Sequence, residues 1–151
     1  MILGIDPGIL KLGYALIKPN LEIVEAGILK LELEENNRIE QFQRIVDIEK
    51  YFSDLLEKNP EIYCISMEKY FFTKFNLANA EFVYMRAIIL LAIKKIKIKE
   101  YSPIELKKNI SNGKANKQTI QKFIMKIFSL QEMPKYHDAS DALGLAYLGI
   151  K

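Results

Sequence analysis

The sequence predicts an α/β layered fold, and three observations lead there. Three apolar runs of strand length follow one another at the N-terminus with short turns between them, and two further short apolar runs each lie between stretches of helical spacing. The chain has 151 residues, half of them hydrophobic, which suits one compact domain with a sizeable core. No linker, internal repeat or low-complexity tract divides it, so residues 1–151 are read as a single domain.

Ile2 to Ile5 reads as a buried strand. Leu12 to Ile17 and Glu22 to Leu31 continue it as an antiparallel meander, with a turn at Lys18-Pro19-Asn20 where proline presets φ. From a cap at Asn36 or Asn37, apolar residues at Ile39, Phe42, Val46, Ile48, Phe52, Leu55 and Leu56 recur near helical spacing, and Asn59-Pro60 stops the run. A strand from Ile62 to Met67 follows, then a helix from Leu77 to Ile96 and a short strand from Ile96 to Tyr101. That helix is apolar almost all round from Phe82 to Ile93, which argues for burial on more than one side, in a homodimer or between sheet and helices. Ser102-Pro103 opens a short helix holding Lys107 and Lys108, and Asn112-Gly113 breaks it. Gln118 to Phe128 and Ala139 to Leu148 are the last two helical patterns.

The net charge of +3 hides an uneven distribution. Residues 94–126 hold ten lysines against two glutamates, whereas residues 32–58 hold eight acids against four bases. Such asymmetry predicts a cationic face and favours a polyanionic partner, although any single lysine is most simply a solvated surface residue. Cys64 lies inside an apolar strand pattern; a disulfide framework is excluded, and a buried thiol is expected in place of a nucleophile. The longest apolar stretch, Ala87 to Ile93, is far too short to span a bilayer. With no targeting signal in view, the expected compartment is cytoplasmic, without a membrane partner.

Four acids stand where an apolar element stops or starts. Asp6 ends Met1-Ile-Leu-Gly-Ile, Glu68 ends Ile62-Tyr-Cys-Ile-Ser-Met, and Asp138 and Asp141 open the last helix. Buried carboxylates are costly to keep charged unless partnered, and a divalent cation partners several at once. Oxygen ligands of this kind suit Mg²⁺ or Mn²⁺. Each acid alone has an ordinary explanation: Asp6-Pro7-Gly8 is a common turn, and Asp138 with Asp141 would make an N-cap and its reciprocal acid. Asp141, however, lies one turn before Leu145 and so begins the apolar stripe, while Ala139, Ala142, Gly144 and Ala146 leave room for a sheet to approach. Residues three apart share a helix face, so both aspartates can point towards the strand ends carrying Asp6 and Glu68.

Gly4-Ile-Asp-Pro-Gly8 followed by Gly13-Tyr14, an acid ending the fourth strand and Asp138-Ala-Ser-Asp-Ala-Leu143 together resemble the RuvC-type Holliday-junction resolvases, over nearly the whole chain. The resemblance implies an RNase H-like fold with a five-stranded mixed sheet flanked by helices. It also implies a homodimer acting on four-way junction DNA, with Mg²⁺, or Mn²⁺ in its place, held by Asp6, Glu68, Asp138 and Asp141. A branch-migration helicase complex is an implied partner. Two ions about 4 Å apart would clamp the attacking water and the leaving 3′ oxygen, giving 5′-phosphate and 3′-hydroxyl ends. By motif position, Phe71, Arg86, Lys107, Lys108, Lys114 and Lys117 would contact DNA, Phe71 by stacking on or wedging an unpaired base. Phe72 and Phe75 are more simply packed under a loop, and His137 is an inert neighbour of Asp138.

Two departures from the family pattern stand out. Ser111-Asn112-Gly113 replaces a paired-glycine loop one residue longer, and Ala87 stands where a glycine usually follows the helix-two arginine. Both bear on loop contacts more than on the acids. The rival readings are an RNase H-like nuclease acting on another nucleic acid such as RNA, and a non-catalytic DNA-binding relative. An actin-like ATPase also begins with a strand and an Asp-x-Gly turn, but it needs a second phosphate loop and a much longer chain.

Overall fold

The computed structural model describes residues 1–8, 11–30, 38–69, 77–93, 96–110, 116–132 and 134–151. The elements run β1 (Ile2–Asp6), β2 (Lys11–Ile17), β3 (Ile23–Lys30), α1 (Arg38–Lys58), β4 (Cys64–Glu68), α2 (Leu77–Ile93), β5 (Lys97–Tyr101), α3 (Pro103–Ile110), α4 (Lys117–Ile127) and α5 (His137–Ile150). The expected caps at Asn36 or Asn37 and the break at Asn112-Gly113 lie outside the described residues.

The five strands form one sheet in the order β3-β2-β1-β4-β5. β1, β2 and β3 pair antiparallel, while β4 pairs parallel with β1 and β5 parallel with β4. The mixed sheet expected from the sequence is therefore present. The β2–β3 turn closes with the Leu21 amide donating to the Lys18 carbonyl at 3.0 Å, and Leu21 itself takes a positive φ of 70°.

Strand alternation splits the interior into two cores. Leu3, Ile5, Leu12, Leu16, Ile65 and Met67 face α1 and α2, meeting Ile48, Phe52, Leu55, Met85 and Ile89. Ile2, Ala15, Ile17 and Cys64 face the other way, towards Ile120 and Ile124 of α4 and Ala142, Leu143 and Ala146 of α5. Helices thus cover both faces of the sheet. The α1 pattern was wider than its buried stripe, because Phe42 and Val46 are 58% and 55% exposed whereas Ile48 and Phe52 are fully buried. The all-round apolar character of α2 resolves likewise: Met85, Ile89 and Ala92 are buried, but Tyr84 and Leu91 remain 59% and 67% exposed.

Small residues let α5 lie against the sheet. A methyl group on Gly4 would stand 2.6 Å from the Ala146 nitrogen and 2.8 Å from its Cβ, and one on Gly149 would stand 2.6 Å from the Ile2 side chain, all closer than real Cβ atoms approach. At the far end, the Tyr101 hydroxyl donates to the Leu148 carbonyl at 2.9 Å and the Lys99 ammonium to the Gly149 carbonyl at 3.0 Å. The Gly149 carbonyl is one that the last turn of a helix leaves without an intrahelical partner, and the Tyr101 bond adds to the one that the Leu148 carbonyl accepts from the Lys151 amide at 3.2 Å. Cys64 is buried, as expected, with its thiol directed at the Gly149 carbonyl. Among the described residues, no helix is long and apolar enough to cross a membrane.

Candidate active site

Period-two alternation decides where the strand acids point. Ile2 and Gly4 face α5, so Asp6 at the end of β1 projects to the α5 side; Cys64 and Ser66 do the same in β4, so Glu68 follows. Ile5 pairs with Met67, so Asp6 and Glu68 stand one step further along neighbouring parallel strands, whose axes lie ~4.8 Å apart. After Asp6 the chain reverses at once, the Gly8 amide donating to the Asp6 carbonyl at 3.0 Å. This is the expected Asp-Pro-Gly turn, and it puts Asp6 at the carboxyl end of a central strand.

The first turn of α5 brings the other two acids to the same rim. Gly13, cross-strand partner of Asp6, is covered by Asp138: a methyl there would stand 2.5 Å from the Asp138 carbonyl carbon and 3.1 Å from its Cβ. Asp138 is not the cap of this helix. Tyr136 holds that position, without a side-chain cap bond, and α5 begins at His137, a residue before the expected cap. The capping explanation for the pair therefore fails, since both aspartates lie inside the helix. Asp138 and Asp141 are half-buried, and His137 is exposed.

Glu68 registers the crowding of charge. Burial raises its pKa above the ordinary value, the Asp141 carboxylate raises it further, and Lys107 of α3 opposes both. The charges of Asp141 and Lys107 both reach Glu68, so the three side chains share one neighbourhood. Among the described residues, no three acids, histidines or cysteines are grouped so that they could hold a metal ion as they stand. The four carboxylates stand in two pairs instead, Asp138 over the cross-strand partner of Asp6 and Asp141 within electrostatic reach of Glu68. That donor chemistry fits Mg²⁺ or Mn²⁺, since Mg²⁺ commonly takes one or two protein carboxylates and fills the rest of its shell with water and phosphate oxygens.

The remaining expected site residues divide. Lys107 is half-buried beside Glu68, and Lys108 is exposed on the same helix. Pro103 opens α3, and Ser102 and Glu105 cap it reciprocally: the Ser102 amide donates to the Glu105 carboxylate at 2.7 Å and the Glu105 amide to the Ser102 hydroxyl at 3.2 Å. Lys117 begins α4, which Asn116 caps by accepting from the Thr119 amide at 2.8 Å. The Lys117 side chain, Phe71, Phe72, Phe75 and Lys114 lie outside the described residues. Arg86 is placed differently from the other cations. Its Nη1 donates to the Glu68 carbonyl at 3.1 Å, its Nη2 pairs with Glu100, and its side chain is only 17% exposed.

Charge is distributed over the two faces as the composition suggested. Lys108, Lys122 and Lys126 are exposed on α3 and α4, on the side where the acids project, while Asp47, Glu49, Asp54 and Glu57 are exposed on α1 across the sheet. The sequence reading missed Glu100 and the seat that Gly13 makes for Asp138. Glu100 had a visible signal, being one of two acids in the lysine-rich stretch 94–126.

The order of strands, the helices on both faces and the acids at one end of the central pair define an α/β protein of the RNase H-like fold. A family model described as crossover junction endodeoxyribonuclease RuvC matches residues 2–148. Curated relatives of that description include one from Prochlorococcus marinus, 31% identical over 153 aligned positions that cover 97% of this chain and 92% of the relative. Another, from Pseudothermotoga lettingae, is 33% identical and is covered over 91% of its length by 97% of this chain. The chain belongs to the RuvC family of crossover junction endodeoxyribonucleases. Among solved structures, Thermus thermophilus RuvC in complex with a Holliday junction substrate matches 96% of this chain and 88% of its own, with a TM-score of 0.81 at 21% identity. The yeast mitochondrial Holliday junction resolvase matches 99% of this chain and 77% of its own, with a TM-score of 0.64 at 14% identity. At these identities the structural matches speak for the fold.

Proposed function

We propose that this protein is a metal-dependent endonuclease that resolves four-way DNA junctions, with residues 1–151 working as one domain. The observation that carries the reading is placement: Asp6 and Glu68 end neighbouring parallel strands on the α5 face, and the first turn of α5, which holds Asp138 and Asp141, covers Gly13 opposite Asp6. Removing water from like charges is costly, and such a cost is sustained where a divalent cation is to be held. Asp6, Glu68, Asp138 and Asp141 are the residues that would hold it. Bound there, divalent ions would lower the pKa of an attacking water and stabilise the leaving 3′ oxygen of an in-line displacement.

The chain's own groups do the rest. The carboxylates orient along the strand ends and the first turn of α5, all fixed by backbone packing, so little reorganisation is needed when phosphate arrives. Lys107 is positioned to meet the negative charge that develops on the phosphoryl oxygens, a contribution of roughly 3 kcal/mol, or about 10²-fold in rate. Lys108, Lys122 and Lys126 add exposed positive charge on α3 and α4, and Lys114 and Lys117 extend the same basic stretch in the sequence. Phe71, shortly after Glu68 in the chain, is the proposed wedge at an unpaired base.

A junction offers two equivalent strands, which suits a twofold dimer. Tyr84 and Leu91, one helical stripe of α2 left exposed, are the proposed contact. The deciding experiment incubates the protein with Mg²⁺ and an end-labelled four-way junction beside a linear duplex and an RNA duplex. Paired symmetric cuts confined to the junction, with 5′-phosphate ends and abolished by Asp138→Asn, are expected. Equal cutting of linear or RNA substrates overturns the substrate assignment, and metal-dependent cutting by Asp138→Asn overturns the site.

A further inference from the structure

We propose that Arg86 is a positioning residue for Glu68, clamped by Glu100 so that α2 fixes the end of β4 from the side of the sheet opposite the acids. The inference rests on the proposed metal site.

Glu68 is the last residue of β4, where the sheet ladder runs out. One step later the Lys69 amide still donates to the Tyr101 carbonyl at 2.8 Å, but the Glu68 carbonyl is taken by Arg86 Nη1 at 3.1 Å. The other arm of the guanidinium meets Glu100. Glu100 is the β5 partner of Met67, so it shares the face that Met67 turns to α2, while its neighbours Lys99 and Tyr101 face α5. One rigid fork therefore joins α2, the backbone of a site acid and the adjacent strand. Arginine suits this task because its planar fork holds two acceptors at a fixed angle, which a lysine cannot do. A phosphate contact would require the guanidinium to leave both partners, and at 17% exposure it has little access to solvent.

The consequence is specific. Loosening the fork lets the end of β4 relax and disorders the Glu68 carboxylate, so metal is held less well although no ligand has been removed. Groups that support ligands in this indirect way typically change metal affinity by about 10- to 100-fold. Junction binding, which depends on the lysine face across the sheet, is unaffected.

The test uses the full chain as wild type, Arg86→Gln, Arg86→Lys, Glu100→Gln and the double variant Arg86→Gln with Glu100→Gln. Three quantities are measured: the Mn²⁺ concentration giving half-maximal junction cleavage, the Mn²⁺ concentration giving half of the thermal upshift, and junction affinity in chelator as a function of salt. In Arg86→Gln both Mn²⁺ midpoints are expected to rise by about tenfold or more, with cleavage recovering at high Mn²⁺. Glu100→Gln shifts the same way by less, Arg86→Lys falls between, and the double variant is no worse than Arg86→Gln because both residues act through one contact. Affinity and salt slope in chelator stay at wild-type values. Unchanged Mn²⁺ midpoints overturn the proposal, as does weaker junction binding with a shallower salt slope, which would make Arg86 a phosphate contact. Should Arg86→Gln fail to fold, Glu100→Gln decides by the same midpoints. A wild type without Mn²⁺-dependent cleavage or thermal upshift would instead defeat the proposed function itself.

Discussion

Replacing Gly13 with alanine probes the dependence of the acid rim on backbone packing without touching an acid. The added methyl would lie 2.5 Å from the Asp138 carbonyl carbon and 3.1 Å from its Cβ, against an ordinary contact of 3.4 Å or more. Backbone cannot swing aside as a flexible side chain can. The Asp138 carbonyl oxygen lies nearer still, so either β2 buckles or the first turn of α5 retreats by about 1 Å or more, and overpacking of this kind costs about 1–3 kcal/mol. For a chain of this size each kcal/mol lowers the unfolding midpoint by about 2–4 °C. The larger effect falls on chemistry, because misplacing a catalytic group by about 1 Å can cost about 10²-fold in rate. Gly27→Ala is the matched control: the nearest neighbours of its methyl are the hydroxyl and ring of Tyr14, at 3.3 to 3.5 Å, and a side chain can yield by that much. Calorimetry and single-turnover junction cleavage in Mg²⁺ supply the two numbers for each variant. If Gly13→Ala cuts within about threefold of wild type at an unchanged midpoint, the claim that α5 is seated by glycine fails.

Four further outcomes are expected. Burial and Asp141 raise the pKa of Glu68, so the stability its proton adds is complete below the ordinary value of 4.5 and is lost as the pH rises through the raised one. In chelator, Glu68→Gln should therefore lose less stability than wild type as the pH climbs from 4.5 towards neutrality, and parallel profiles would contradict the crowding inferred for this acid. Junction affinity should fall linearly in log–log form with salt, with a slope near −0.9 for each phosphate neutralised, whereas salt-insensitive binding would remove the case for a cationic face. Tyr101→Phe deletes the bond to the Leu148 carbonyl and should cost about 0.5–1.5 kcal/mol in denaturant unfolding; no loss would mean that the end of α5 is secured elsewhere. Leu91→Glu should convert a dimer to a monomer in sedimentation while leaving the far-ultraviolet dichroism intact, and an unaltered sedimentation coefficient would free the α2 stripe from that role.

The sheet was legible because strand periodicity is strict. Once Ile5 and Met67 face α1 and α2, Asp6 and Glu68 point to the opposite face as long as the strand runs without a bulge between them. Helices gave less. Apolar spacing in α1 took in Phe42 and Val46, because a helix tolerates exposed apolar residues and the pattern alone cannot say how wide the covered stripe is. The start of α5 was misjudged for another reason: an aspartate before an apolar run is the usual sign of a cap, yet here Tyr136 takes the non-helical conformation and Asp138 is already in the first turn. The roles of Arg86 and Glu100 could not be read from spacing at all. They are distant in sequence, and only the β4–β5 register and the packing of α2 bring them together.

One helix links the fold to the chemistry. The face by which α5 fills its core, through Ala142, Ala146 and Gly149 against Gly4, Ile2 and Ser66, is the same face whose first turn carries Asp138 and Asp141. A ligand-bearing loop could drift without disturbing the interior, but these acids cannot move unless a packed helix moves with them, and packed interiors resist small displacements. The small residues at this contact are thus a requirement of the site as well as of the core. Enlarging any of them should injure cleavage before it unfolds the protein, whereas truncating the large side chains beneath α1, such as Phe52, should do the reverse.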